Sequence, residues 1–208
     1  MSKPPSVPTV YIVDDDERIR RFIGRLLDEV GVAHAEFENA ECFLEQFDPD
    51  APGCLLLDVR MPGMGGRVLQ DELTARGVDI PILFMTGFGE VSMAVEALQK
   101  GALDFLEKPL SPQRLLDRVQ VALKADADRR RDRARSADNA RALALLTPRE
   151  RQVVDLILDG LSNKQIAFEL SVSSQAIDAR RLNAMKKLGV DSVAELVAFV
   201  LRSDGSGT

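Results

Sequence analysis

Six polar residues follow apolar runs: Asp14, Asp15 and Asp16 close TVYIVDDD, Asp58 closes CLLLD, Thr86 follows IPILFM, and Lys108 follows ALDFLE. In an open parallel sheet such groups collect outside the carboxyl edge of the strands, where the ends of neighbouring strands meet. Three or more carboxylates in one pocket repel one another unless a cation compensates, and an all-oxygen donor set suits Mg2+. A lysine ammonium there binds a phosphoryl oxygen as a point charge, and a threonine hydroxyl hydrogen-bonds another. The chemistry open to this set is an aspartyl phosphate on Asp58, with Mg2+ and Lys108 offsetting the charge that develops on the phosphoryl group. Each residue alone is weak, since DDD is commonly a solvated turn or helix cap and Lys-Pro a loop. Together they are specific, because they fall at the ends of four different strands.

The elements that must position them are legible as a rhythm. Five apolar runs, TVYIVDDD, VAHAEFE, CLLLDVRMP, IPILFMTGFG and ALDFLEKP, alternate with helix-period segments, which implies an α/β doubly wound, five-stranded parallel sheet of flavodoxin-like order. Ile19, Phe22, Ile23, Leu26 and Leu27 keep helical spacing until Gly31, and similar patterns cover 39–47, 66–76, 91–100 and the chain from 112 onward. From Gln113 to Thr147 there is neither Gly nor Pro, so a long helix leaves the last strand as a charged connector. RRRDRAR at 129–135 reads as a solvated helix face, because aspartates interrupt it.

Thr147, Pro148 and Glu150 then form an N-cap, a proline at the first helical position and a capping box. Four helices follow, at 148–159, 162–170, 174–188 and 192–202, and LSNKQIAFELSVSSQAID has the shape of a helix-turn-helix with Ser162 and either Ser173 or Ser174 as caps. At 100° per residue, Ile177, Ala184 and Leu188 mark the buried stripe of the 174–188 helix. Gln175, Asp178, Ala179, Leu182 and Lys186 share the opposite arc, suited to base edges, with Asp178 accepting from a cytosine amine. Arg180 and Arg181 flank the core face, where a long stem packs and a guanidinium reaches a phosphate; Lys187 shares the Arg180 flank, and Lys164 is a further phosphate candidate. The stripe Val193, Leu196, Val197 and Val200 suits either its own domain or a second copy.

Charge is uneven. Residues 1–111 hold 10 Lys and Arg against 20 Asp and Glu, 112–146 hold 9 against 5, and 147–208 hold 8 against 8, so nucleic-acid contact is excluded from the acidic first half. The neutral last segment implies weak non-specific DNA affinity and a need for dimerisation. No apolar run approaches the length of a membrane span and the N-terminus has no apolar signal core, so a cytoplasmic protein is expected. Cys42 and Cys54 lack metal or disulfide spacing, and the single histidine, His34, reads as a strand surface residue.

The motifs VDDD, LLLDVRMPGMGG, MTG and DFLEKP make residues 8–125 resemble the receiver domain of two-component response regulators. LTPRERQVV, GLSNKQIAFEL and KKLGV make residues 145–202 similar to a LuxR-type helix-turn-helix domain, with 126–144 as helical linker; the pairing resembles the FixJ/NarL class. The resemblance implies that Asp58 is the phosphoacceptor for a sensor histidine kinase. Asp15, Asp58 and the Arg60 carbonyl would hold Mg2+ directly, and Asp14 through water. Thr86 and Phe105 would form a switch pair, Lys108 would hold the phosphoryl group, and Pro109 would follow it in a cis peptide. It further implies a homodimer on phosphorylation through the 91–100 helix and strand 103–106, promoter DNA as target, and RNA polymerase as a further partner. Phe88 stands where many members have His. Ala176, Ile177 and Arg180 stand where members commonly have Thr, Val and His.

One rival, an aspartyl-phosphate phosphatase, needs a second acid two residues after the nucleophile, where this chain has Arg60. Response regulators with an RNA- or protein-binding output are further alternatives; the chain is not expected to be an enzyme.

Overall fold

The structure, a computed structural model, describes residues 7–87 and 99–204. The chain divides into two compact units, Met1–Arg129 and Arg130–Thr208. In the first, β1 (Thr9–Val13), β2 (His34–Phe37), β3 (Gly53–Asp58), β4 (Ile82–Thr86) and β5 (Asp104–Glu107) form one wholly parallel sheet in the order β2-β1-β3-β4-β5. The order reverses between β1 and β3, so the crevice beyond their carboxyl ends is where such a sheet leaves room for chemistry.

Period-two alternation along the central strands serves two cores. Tyr11, Val13, Leu55, Leu57 and Phe84 face one side, under α2 (Ala40–Gln46) and α3 (Gly66–Ala75). Val10, Ile12, Leu56, Leu83 and Met85 face the other, with Ile23 and Leu27 of α1 (Glu17–Glu29) and Leu115 and Val119 of α4 (Pro112–Ala144). Every residue of β3 is buried, which is why it reads as an unbroken apolar run ending in a carboxylate.

In the second unit, α5 (Pro148–Leu158), α6 (Asn163–Glu169), α7 (Ser174–Leu188) and α8 (Val193–Asp204) close on one core containing Val153, Ile157, Ile166, Ile177, Ala184, Met185, Leu188, Leu196 and Val200. The capping box at Thr147 and Glu150 is formed, as is a second one between Ser162 and Gln165. Ser173, rather than Ser174, caps α7. Between α6 and α7, Ser171 takes a left-handed φ of 53° and Val172 N–H reaches the Ala167 carbonyl at 3.0 Å, a tight turn that sets α7 against α6. Leu196 and Val200 are buried in this core and Val193 packs against it, so these three residues of the α8 stripe serve their own domain, while Val197 is half-buried.

Candidate functional site

The DDD run divides into separate tasks. Asp16 caps α1, its carboxylate accepting from Arg18 N–H at 2.9 Å. Asp14 is fully buried: one carboxylate oxygen accepts from Asp16 N–H at 2.9 Å and the other from Lys108 Nζ at 2.8 Å. Asp15 stays exposed at the rim. Asp58, 6% exposed at the end of β3, receives the same Lys108 ammonium at 2.8 Å. One cation thus bridges two carboxylates that lie 44 positions apart in sequence. The Lys108–Pro109 peptide is cis, and Lys108 N–H is tied to the Thr86 carbonyl at 2.8 Å.

Gly66 sets the far wall. Its N–H reaches the Val59 carbonyl at 3.1 Å, and a Cβ there would come within 2.2 Å of the Asp58 carbonyl oxygen, so only glycine lets α3 start this close to the acid.

Among the described residues, carboxylate oxygens of Asp14, Asp15 and Asp58 lie within 4.8 Å of one another. Burial first, and the neighbouring Asp14 and Asp15 charges with it, push the Asp58 carboxyl up to about 6 although Lys108 pulls it down. Burial works against the Lys108 charge too, but its hydrogen bonds to Asp14 and Asp58 outweigh it and hold the ammonium above its ordinary value. The pocket therefore carries more negative charge than Lys108 alone neutralises, and its donors are all oxygen. Both properties fit Mg2+. Arg60 lies exposed in the loop after Asp58. Thr86 is 3% exposed at the end of β4, and Phe105, half-buried on the edge strand β5, packs against the first core. Phe88 and most of the 91–100 helix lie outside the described residues.

On α7, the arc expected to face DNA is exposed: Gln175, Asp178, Ala179, Leu182 and Lys186, with Leu182 69% exposed. Arg180 and Arg181 are half-buried on the flanks, and Lys164 is exposed near the start of α6. Two contacts were invisible in the sequence. Asn163 of α6 donates its amide to Asp178, so that carboxylate is held by the preceding helix instead of standing alone on the arc. Lys187, on a flank that suits phosphate, is engaged inside its own domain. Its ammonium lies 2.7 Å from Glu150, the capping-box acid, and 3.3 Å from the Leu145 carbonyl. The Lys187 hydrogen bond, followed by that from Thr147 N–H, holds the Glu150 carboxyl below its ordinary value. Lys187→Ala should therefore lower the melting temperature, more at neutral than at acid pH where Glu150 is protonated, and leave the salt slope of DNA binding unchanged. A slope reduced by about one would return Lys187 to the phosphate-contact set.

The sequence also gave no sign of Asp126. Within the stretch read as linker, it is 2% exposed and accepts from Gly53 N–H at 2.9 Å, beneath the start of β3. Cys42 and Cys54 are free, and burial pushes the Cys54 thiol up to about 12, which leaves it without nucleophilic character near neutral pH. No described helix is long and apolar enough to cross a membrane.

Residues 10–120 match the response regulator receiver domain family, and residues 144–200 match the luxR family of bacterial regulatory proteins. The transcriptional regulatory protein FixJ of Bradyrhizobium diazoefficiens is 40% identical over 93% of this chain and 95% of its own length. FixJ of Azorhizobium caulinodans is 38% identical over 95% and 93%. Among solved structures, the response regulator StyR superposes with a TM-score of 0.81 at 43% identity, covering 95% of this chain and all of its own. Full-length FixJ from B. japonicum gives 0.59 at 38% identity over 96% and 98%.

Proposed function

The chain belongs to the FixJ-type response regulators, receiver plus LuxR-type DNA-binding domain, and so is a phosphorylation-dependent transcriptional regulator; we propose that a sensor histidine kinase switches it at Asp58. Members of this family are transcription regulators rather than classical enzymes. The observation that carries the reading is the single Lys108 ammonium shared by Asp14 and Asp58 in the crevice between β1 and β3.

The Asp58 carboxylate attacks the phosphorus of a phosphohistidine; a P–O bond forms as the P–N bond breaks, and the imidazole takes up a proton as it leaves. Asp15, Asp58 and the Arg60 carbonyl would hold Mg2+ directly and Asp14 through water, supplying charge stabilisation to the phosphoryl oxygens. Lys108 leaves its carboxylate bridge to hold one phosphoryl oxygen, and the Thr86 hydroxyl turns to donate to another. Phe105, half-buried beside the core, moves into the space Thr86 vacates, with Pro109 shaping the loop below. A phosphatase reading is disfavoured by Arg60 at the place where a second acid is required.

Strand 103–106 with the 91–100 helix would form the homodimer face. Two weak, neutral DNA-binding units then gain effective concentration on a promoter with two half-sites, where RNA polymerase is the further partner. An RNA output would need aromatic stacking platforms, but in the second unit Phe199 packs against the core and Phe168 stands exposed by itself. Mapping bound genomic sites with and without a phosphodonor should show one shared two-half-site motif whose occupancy rises with phosphorylation. Sites without a common motif would sink the DNA-regulator reading.

On α7 we assign base contacts to Gln175, Asp178, Ala179, Leu182 and Lys186 and phosphate contacts to Arg180 and Arg181, with Lys164 of α6 as a further phosphate contact. Asp178→Ala should relax preference at one base pair by about 1–3 kcal/mol. Arg181→Ala should weaken all sequences alike and lower the salt slope by about one. Fluorescence anisotropy on single-base variants at several salt concentrations separates the two; equal, sequence-independent losses would remove the distinction.

A further inference from the structure

Three arginines open α1, and one behaves differently. Arg18 and Arg21 have side chains 89% and 66% exposed, while that of Arg20 is 13% exposed. Its Nη1 donates to the backbone carbonyls of Asp14 at 2.7 Å and Asp15 at 3.1 Å. Its Nε lies 3.9 Å from Glu36 on β2, whose other carboxylate oxygen is 3.8 Å from His34 Nε2. Gly24, one turn after Arg20, leaves the room: a Cβ there would come within 2.7 Å of the Glu36 carboxylate and 2.9 Å of the His34 ring. A cation near the N-terminal end of a helix opposes the macrodipole, so helix stability alone does not explain its place.

We propose that Arg20 is a positioning residue of the acidic pocket: by clamping the two carbonyls it fixes the backbone that aims the Asp14 and Asp15 carboxylates at a divalent cation, with Glu36 steering the guanidinium. Mg2+ demands near-ideal octahedral geometry, so a loop that drifts loses affinity even when every ligand is present. This inference rests on the cation-site reading above. Charge and geometry predict opposite signs: losing a positive charge beside the pocket strengthens cation binding by Coulomb attraction, whereas losing the clamp weakens it.

The test is calorimetric titration of the full chain with Mg2+ for wild type, Arg20→Ala, Arg20→Lys and Glu36→Gln, beside melting curves in chelator that report folding. Arg20→Ala is expected to bind Mg2+ about 10–100-fold more weakly, the range typical of lost outer-shell partners. Arg20→Lys should recover part of that loss, because it keeps a donor and the charge but not the fork. Glu36→Gln, which removes the carboxylate that steers the guanidinium, should lose affinity to a smaller degree, and Arg20→Lys, which keeps the charge, keeps the idea testable if Arg20→Ala does not fold. Phosphorylation by a small phosphodonor should need more Mg2+ in Arg20→Ala yet return towards the wild-type rate at saturating Mg2+. Mg2+ affinity unchanged or tightened in folded Arg20→Ala, or wild-type affinity in Arg20→Lys, overturns the positioning role. Absence of Mg2+ binding by the wild type would instead overturn the cation-site reading itself.

Discussion

Asp58→Asn should yield no phosphorylated species with a kinase or a small phosphodonor, and its promoter affinity should remain about 10²–10⁴-fold below that of phosphodonor-treated wild type, the gain that joining two modules can supply. The asparagine fills the same space at the end of β3 but offers no carboxylate to attack phosphorus. Its effect on folding runs the other way. With its carboxyl at about 6 in place of an ordinary 3.8, Asp58 is ionised at pH 7.5 against a preference for the neutral form worth about 3 kcal/mol. A raised carboxyl brings stability that is complete below its ordinary value and lost as pH climbs through about 6. The metal-free asparagine variant should therefore unfold at equal or higher urea concentration than wild type at pH 7.5, by up to about 1–3 kcal/mol, less whatever Lys108 loses with one partner. Phosphate-affinity gels, DNA titration at one stated salt concentration and urea unfolding in chelator check the three parts. Promoter binding as tight as that of the phosphorylated wild type would end the switch mechanism.

Lys108→Ala should show the reverse pattern. Removing one partner of a buried ion pair strands the others, at a cost of about 3–5 kcal/mol, and with the Lys108 side chain 21% exposed the lower end applies. Asp14 and Asp58 would then face each other without their shared cation, and the Asp58 carboxyl should rise above its present value of about 6. The deficit against wild type should be largest at pH 7.5 in chelator and should shrink as the pH falls towards 5, because protonating one carboxylate removes the repulsion that Lys108 had offset. Mg2+ should restore much of the loss at neutral pH. A deficit independent of pH would mean that Lys108 contributes packing rather than charge compensation. Phosphotransfer in this variant should slow even at saturating Mg2+, since the group that meets the phosphoryl oxygen is gone.

Local signals in this chain were strong because each follows from neighbours. The apolar β3 run ends in Asp58 since a strand buried on both faces tolerates a charge only where it emerges. Thr147, Pro148 and Glu150 mark a helix start through hydrogen bonds that span three residues. The period of α7 separates Ile177, Ala184 and Leu188 from the exposed Gln175, Ala179 and Leu182, and the structure keeps that division. Helical period assigns a face and not a partner. Hence Lys187, on a flank that suits phosphate, instead folds onto Glu150 across 37 positions, and Asp178 turns out to be held by Asn163.

By itself, then, the sequence determined the order of strands and helices, the caps and the residue types gathered at the carboxyl edge, since these rest on short-range periodicity and on the rule that a parallel sheet exposes its strand ends on one side. Tertiary structure alone decided that Lys108 bridges Asp14 and Asp58, that Arg20 rather than Arg18 or Arg21 reaches the carbonyls of the acidic loop, and that Asp126 is buried beneath Gly53. Those contacts depend on the direction in which a side chain leaves its element and on what the fold has placed opposite it. Several arginines and aspartates at equivalent spacing compete for each role, and packing chooses among them.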